Sequence, residues 1–485
     1  MFKNYNNLGF HSKYYTLKNE KINIFKTFGD GIKSTSNREI DTTAIIEFIN
    51  RFYFFADRTI IKNLNKTPWL AKPNASNSKW EFDTINNKPQ QITTEQEFAD
   101  LFIEKVEKEI INYIGNAEKI GILLTGGMDS RIVAALVHKL NTEKRINVKV
   151  LALTWGMENS RDIVYAERIA KKYHWKNKSF KLNAETLKQN IITTANEGCE
   201  FSPIHLHGMN EISNEKGLDL ILAGSFGDSI GRAEYSSKHA SKLNSIATGI
   251  TNKFFFLNNN QFKKGRENID NDIKKYLSLF PRKLNYSNFE IEQMAHYMRR
   301  ELNPCMTLID RKIKLYQVFS TAEVYKFVLN TPISLRNDKL YFNVLHKIDK
   351  SLLDIPWART GKPYLKNDIL EDIKYTKGYH QYGKWIKNDL AAYIDDLIFN
   401  GNIESLNIFN MEAIKYAIKI NKKSNLIASN RIDELIVWLA SLSILIEKKN
   451  IKGVQKQKNI FMDFITLLKS KSYSFLYIKL LTLKK

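Results

Sequence analysis

Thr125-Gly126-Gly127-Met128-Asp129-Ser130 puts two glycines, two hydroxyls and an acid into six consecutive residues. Glycines let a backbone turn tightly and approach a ligand with no Cβ in the way, and the amides of a following helix point at whatever lies there. A phosphate chain fits such a cradle. No Gly-Lys-Ser/Thr follows, so this is not a Walker A loop. Asp129 would repel a bare phosphate, so the loop makes best sense with Mg²⁺ between the acid and the anion.

Other constellations say less. Cys199, His205 and His207 lie close together in "CEFSPIHLHG", with both histidines expected on one side of a strand. No fourth metal ligand accompanies them, so the segment reads as a loop lining a substrate pocket. Glu200, Arg232 and Glu234 read as solvated loop charges. "RKIK", residues 311–314, is too short to argue nucleic-acid binding, and no Ser/His/Asp order, HExxH or dinucleotide glycine fingerprint stands out.

The glycine loop needs a strand before it and a helix after it, and the sequence supplies both. Ile120 to Leu124 is a buried-strand pattern, and "DSRIVAALVHKL" is helical. "INVKVLALTW" predicts a second buried strand, "SRDIVYAERIAKKY" a second helix and "LDLILAG" a third strand. Such alternation means βαβ crossovers on a parallel sheet. Upstream, "TTEQEFADLFIEKVEKEIINYIG" is a helix capped by Thr93 or Thr94, with Glu97 at capping-box distance from Thr94.

Residues 1–95 read as loosely organised strands with one helix in "DTTAIIEFINRFYFF"; residues 96–450 hold the α/β unit, and its part after Ile250 is expected to be helical, with no further strands. The basic tail, 451–485, predicts a terminal helix docked on the body with its lysines in water, in preference to a helix lying at a membrane surface.

Of 485 residues, 43% are hydrophobic, which excludes a disordered chain. Lys and Arg number 74 against 51 Asp and Glu, a formal charge of +23 that favours anionic partners without choosing among them. Two cysteines give no disulfide framework and suit a reducing cytoplasm. The start lacks a charged residue followed by an apolar block, and no apolar run reaches about 18 residues. A cytoplasmic protein with no transmembrane segment is expected.

"LLTGGMDSRIVAAL" resembles the SGGxDS pyrophosphate loop of the ATP pyrophosphatases, and specifically the synthetase domain of the asparagine synthetase family, with Thr125 in place of the first Ser. "LALTWGMENSRDIVYAERIAKKY" is similar to that family's second strand and following helix, including Asp162 and Ala166; the family places adenine at that strand's end, here near Leu153. "ILAGSFGDSIGRAEY" resembles its later glycine-acid loop, with Gly224 and Asp228 at the family's spacing. The stretch ending "DIPWARTGKPY" resembles the one that carries a basic residue facing the phosphates, with Arg359 and Lys362 as candidates. "IDTTAIIEFINRFYFFADRTIIKNLNKTPWLAKPN" looks like the tail of a truncated glutaminase domain.

The resemblance implies a parallel sheet of the adenine nucleotide alpha hydrolase type, a C-terminal helical region and a small N-terminal α+β remnant. It implies ATP and Mg²⁺, with Thr125, Gly126, Gly127, Asp129, Ser130, Leu153, Gly224 and Asp228 holding the nucleotide, Asp129 and Asp228 the metal, and Asp129, Lys362 and Arg359 serving catalysis. The implied reaction is attack of a carboxylate on the α phosphorus, loss of pyrophosphate and displacement of AMP by a nitrogen nucleophile. The carboxylate belongs to aspartate or to a small-molecule or peptide substrate of a specialised pathway.

Three departures mark the chain. Glutamine-using members carry a cysteine at position 2, where this chain has Phe2, so ammonia, another amine or a partner glutaminase is the expected nitrogen source. "LYQVFSTAE" stands where the family has ExRVPFLD, with Leu315, Gln317 and Ala322 in place of Glu, Arg and Asp, and Glu323 as a possible substitute one residue on. Ser229 likewise follows Asp228 instead of Glu. A tRNA-modifying ATP pyrophosphatase and an inactive nucleotide-binding scaffold are the alternative readings. Nucleic acid is not favoured, because the stretch after Ile250 resembles the synthetase family.

Overall fold

The computed structural model describes residues 12–85, 91–227, 237–240, 242–366, 368–456 and 460–483. Its centre is a sheet of five parallel strands: β1 (Lys119–Leu123), β2 (Lys149–Gly156), β3 (Lys176–Lys181), β4 (Leu220–Ala223) and β5 (Lys314–Gln317). Their order is β5-β4-β1-β2-β3. From β1 the chain moves outward to β3, then returns to the opposite side of β1 as β4. The carboxyl ends of β1 and β4 therefore flank the point where the direction of winding reverses, which is where open α/β sheets bind ligands.

β1, β2 and β4 lie where the apolar runs predict. Two edge strands do not follow from the pattern. β3, "KNKSFK", is half-exposed and rich in lysine, a composition that protects an edge from further pairing. β5 lies beyond Ile250, where no strand is expected, and only its parallel pairing with β4 makes "KLYQ" a strand.

The helices include α1 (Thr42–Arg51), α2 (Glu95–Ile114), α3 (Met128–Thr142), α4 (Arg161–Lys172), α5 (Ala184–Asn196), α6 (Met411–Lys422), α7 (Arg431–Lys449) and α8 (Ile460–Leu483). Asp41 caps α1. Thr94 Oγ1 accepts from the Glu97 amide at 3.1 Å as the spacing predicts, but Glu97 reaches back to the Thr93 amide at 3.0 Å, one residue before the capping-box position.

The N-terminal residues are not loosely organised. They form an antiparallel sheet of Tyr14–Lys18, Lys21–Phe25 and Asn65–Lys66 and a hairpin of Ala71–Pro73 with Trp80–Phe82. Their apolar residues share one core with α6 and α7. Phe48 of α1 stacks on Trp438 of α7 at 4.1 Å, and the Trp438 indole donates to the Cys199 carbonyl at 2.9 Å. Such stacking of wholly buried rings adds to the burial of their area. Among the described residues no helix is long and apolar enough to cross a membrane.

Candidate active site

The glycine loop braces itself. Gly127 is the N-cap of α3, and its amide donates to Thr125 Oγ1 at 3.1 Å. The Thr125 amide donates to Ser130 Oγ at 3.1 Å, and the Ser130 hydroxyl lies 3.3 Å from the Thr125 carbonyl. Both hydroxyls of the motif thus fix the turn from β1 into α3. Gly126 faces the other way. Its amide donates to the Asp162 carboxylate at the start of α4, and its carbonyl accepts from the Ala358 amide at 3.1 Å. A Cβ there would lie 2.7 Å from that of Ala358 and 3.0 Å from the Arg161 carbonyl, so packing itself requires glycine. Burial pushes the Asp162 carboxyl up to about 6, against the pull of the Gly126 amide.

Two buried arginines hold the segment that crosses this loop. Arg131 Nη1 donates to the carbonyls of Leu352 (2.8 Å) and Ile355 (2.6 Å), and Nη2 to those of Pro356 (2.9 Å) and Gly126 (3.3 Å). The planar fork suits this multiple capture, while burial lowers its pKa to about 10. Arg161 binds Glu371 at 2.6 Å and the Asp372 carbonyl at 2.7 Å. The segment so held carries Arg359 and Lys362. Arg359 is exposed, its guanidinium 5.6 Å from the centre of the Trp357 ring, and Lys362 is half-buried with its charge felt at Glu371. Neither side chain lines the cavity described next.

That cavity, of about 430 Å³, opens at the carboxyl ends of β1, β2 and β4. Thr125, Gly127, Asp129, Ser130 and Gly224 form one wall; Trp155, His205, His207, Tyr297, Glu301 and Met306 contribute to the other. A Cβ on Gly224 would lie 2.7 Å from both the Asp129 carbonyl carbon and the Ser130 nitrogen, and one on Gly227 would collide with the Asp129 carboxylate. Five of the expected nucleotide residues are therefore brought together here. Leu153 is not among them: it is wholly buried in the apolar core, and Trp155, two residues on, is the β2 side chain at the cavity. Asp228, like Arg232 and Glu234, lies outside the described residues.

His205 faces two carboxylates. Its Nε2 is 3.1 Å from Glu434 of α7 and its Nδ1 3.6 Å from Glu301. Burial lowers the pKa of the imidazole, yet the bond to Glu434 and the charges of Glu301 and Glu434 outweigh it and leave it raised. His207 behaves oppositely, depressed by burial and by His380, with Nδ1 3.0 Å from the Tyr382 hydroxyl. The two histidines lie at a short 3₁₀ turn, Pro203–Leu206, and not on a strand. Among the described residues no group of three His, Cys, Asp or Glu could hold a metal.

Tyr297 and Glu301 sit on a π-helix, Gln293–Leu302, a conformation often retained at functional sites. Its anchor is the N-terminal region. Arg299 donates to the Ala56 carbonyl and Asp57 Oδ1, each at 3.1 Å, Arg300 donates to the Ala56 carbonyl at 2.6 Å, and His296 Nδ1 accepts from the Ala56 amide at 2.7 Å. Glu200 is buried, not solvated, paired with Lys66 at 2.9 Å. A second cavity of about 420 Å³ shares Tyr297 and Glu301 with the first and is walled by Asn50, Arg51, Phe52 and Tyr53.

The segment expected to replace ExRVPFLD does not face the cavity with an acid. Leu315 and Gln317 belong to β5, and Gln317 Nε2 donates to Asn303 at 2.8 Å. Ala322 and Glu323 open the next helix, and Glu323 is exposed there beside Glu109 of α2. Sequence reasoning missed Arg131, Tyr297, Glu301 and Glu434. Only Arg131 left a signal, a charge at the head of the apolar run Ile132–Val137.

Residues 112–301 match the family model for asparagine synthase. A putative glutamine-hydrolysing asparagine synthetase of Methanocaldococcus jannaschii is 25% identical over 141 residues, 28% of this chain and 25% of that protein. The glutamine-hydrolysing asparagine synthetase of Gallus gallus is 35% identical over 91 residues, 18% of this chain and 16% of that protein. The aligned stretches thus span a quarter or less of those relatives. Among solved structures, a U34-tRNA thiolase of Methanococcus maripaludis is 13% identical, covering 78% of this chain and 100% of its own at a TM-score of 0.26, too little overlap to bear on function. The family match begins at the end of α2, takes in the glycine loop with β1 to β4, and ends at Glu301 on the π-helix: over that stretch the chain is similar to the asparagine synthetases.

Proposed function

We propose that this chain is an ATP-dependent, AMP-forming carbon–nitrogen ligase: it adenylates a carboxylate with release of pyrophosphate and passes the acyl group to a nitrogen nucleophile. One observation carries this reading. The loop Thr125–Ser130 lies at the reversal point of the sheet and shares a single cavity with the charged group of His205 and Glu301.

The triphosphate lies across the first turn of α3, whose leading amides have no helical partner. Gly224 and Gly227 pack directly on the Asp129 backbone and carboxylate, where any Cβ would collide, and Asp129 lines the cavity, so it fits the role of a divalent-cation ligand. Magnesium bound there supplies charge neutralisation to a departing pyrophosphate. The turn stays rigid because its hydroxyls, the Asp162 carboxylate and Arg131 fix it before substrate arrives, which is how positioning lowers a barrier. Trp155, in place of Leu153, offers the flat surface at the end of β2 to the base. Lys362 and Arg359 stay at the rim, next to the loop but outside the cavity wall.

His205 with Glu301 and Glu434 sets two carboxylates around one imidazole, whose pKa they raise. That excess of negative charge suits an amine or ammonia and gives its departing proton an acceptor. The nitrogen comes from ammonia, from a partner glutaminase or from an amine substrate. The second cavity beyond Tyr297 gives an acceptor larger than ammonia a way in. The carboxylate is aspartate or that of a specialised-pathway substrate.

Nucleotide products test the reaction class. The chain incubated with ATP, Mg²⁺, ammonium and a panel of carboxylates is expected to yield AMP and pyrophosphate in a carboxylate-dependent way. Formation of ADP, or ATP turnover indifferent to every carboxylate, would overturn the proposal.

A further inference from the structure

Helix α8 turns its faces the opposite way to a helix docked on a water-soluble body, where the apolar stripe points in. Every fourth residue on its inner side is small or modest: Thr466, Ser470, Ser474 and Ile478 are buried. The hydroxyls of Ser470 and Ser474 meet no hydrogen-bond partner there. Small inward residues bring α8 close to α6 and to Phe254, which meets Tyr473 and Tyr477 edge-on at 5.4 and 5.1 Å. The bulky residues are left outside. Phe464, Leu468, Phe475, Leu476, Leu480 and Leu483 are between 49% and 72% exposed. An apolar surface of this extent marks an interaction site.

The charges on the same face select what covers it. From Phe464 to Leu483 the helix carries Lys469, Lys471 and Lys479 and no acid, and all three lysines are exposed. Lys415 and Lys419 are exposed on the adjoining α6, along with one acid, Glu412. A second copy seated on α8 would set the lysines of one helix against those of the other. An uncharged protein groove would bury the ammonium groups unpaired. An anionic lipid surface accommodates both sets of side chains: leucines and phenylalanines enter the boundary of the acyl chains, while lysines extend along their stems to the lipid phosphates.

We propose that α8 lies in the plane of an anionic lipid surface, with Phe464, Leu468, Phe475, Leu476, Leu480 and Leu483 beneath the headgroups and Lys469, Lys471 and Lys479 among the phosphates. The helix lies on the membrane and does not cross it. This surface is independent of the adenylation chemistry.

Vesicle co-sedimentation of the full chain tests it, with phosphatidylcholine alone against equal parts phosphatidylcholine and phosphatidylserine. Binding is expected to the second and not the first. Leu476→Gln/Leu480→Gln, on exposed positions that leave the circular dichroism spectrum unchanged, is expected to weaken binding at least about tenfold. Lys469→Gln/Lys471→Gln/Lys479→Gln is expected to weaken it roughly a hundredfold. In Leu476→Trp, indole emission shifts to the blue on phosphatidylserine vesicles. Absence of binding to the anionic vesicles overturns the proposal. So does binding that the leucine variant does not reduce, which assigns it to the chain's general positive charge. Sedimentation showing a dimer that the leucine variant dissolves also overturns it, in favour of a second copy.

Discussion

The amide of Gly126 is turned into the Asp162 carboxylate, away from the cavity that Gly127 lines. The two glycines of the motif therefore differ in purpose: Gly126 seats the crossing segment at Ala358, and Gly127 starts α3. Asp162 carries this arrangement at an electrostatic cost, since burial raises its carboxyl to about 6.

A raised acid pKa favours the folded state fully below the unfolded value of about 3.9, and that contribution is lost as pH rises through the folded value. Asp162→Asn keeps an oxygen for the Gly126 amide and removes the ionisation. Its stability relative to the unmodified chain should increase as pH rises from about 4 to about 6 and then level off. Urea midpoints measured across that range check this; a difference that does not vary with pH would contradict it.

Arg131 satisfies four backbone carbonyls with one buried guanidinium. Arg131→Met should destabilise the chain by about 3 kcal/mol, because hydrogen bonds from a charged donor are lost and the carbonyls stay buried. Arg131→Lys should recover little, since a point charge lacks the fork. Denaturant unfolding of the two variants decides; near-full recovery by lysine would show that charge alone suffices.

At Gly224 the neighbouring atoms are backbone, which cannot swing aside. Gly224→Ala should weaken ATP binding more than tenfold by pushing Asp129 and Ser130 off the cavity wall, while Gly29→Ala, with 3.7 Å to its nearest neighbour, serves as a control without effect. Calorimetric titration with ATP and Mg²⁺ reports both. Equal affinity in the two variants would remove Gly224 from the site.

In the proposed reaction His205 serves the nitrogen nucleophile and not the nucleotide. His205→Asn should leave carboxylate-dependent pyrophosphate exchange intact and cut amide formation by roughly 10²–10⁴-fold. If both fall together, His205 shapes the nucleotide site and does not serve the acceptor.

Much of the frame was legible because apolar periodicity and length agree over β1, α3, β2 and α4, and because the glycine-acid loop falls between a strand and a helix. β3 and β5 were not, since "KNKSFK" and "KLYQ" contain no apolar run and become strands only by pairing with a neighbour. One wall of the cavity, formed by Thr125, Gly127, Asp129, Ser130 and Gly224, was legible in the two glycine-containing loops. Its other wall was legible only in the His205–His207 segment, read as a pocket-lining loop: Tyr297 and Glu301, with Glu434 behind His205, come from distant stretches that meet through the packing of a π-helix and α7 around His205, and no spacing encodes that meeting. Leu153 shows the finer limit, because a shift of two residues along β2 separates the buried core from the cavity.

ATP–pyrophosphate exchange is the most direct test of adenylation. With Mg²⁺ and a panel of carboxylates beginning with aspartate, at least one acid should drive exchange in the unmodified chain, and Asp129→Ala should abolish it. ATP binding without exchange for any carboxylate, or exchange that persists in Asp129→Ala, would contradict the account.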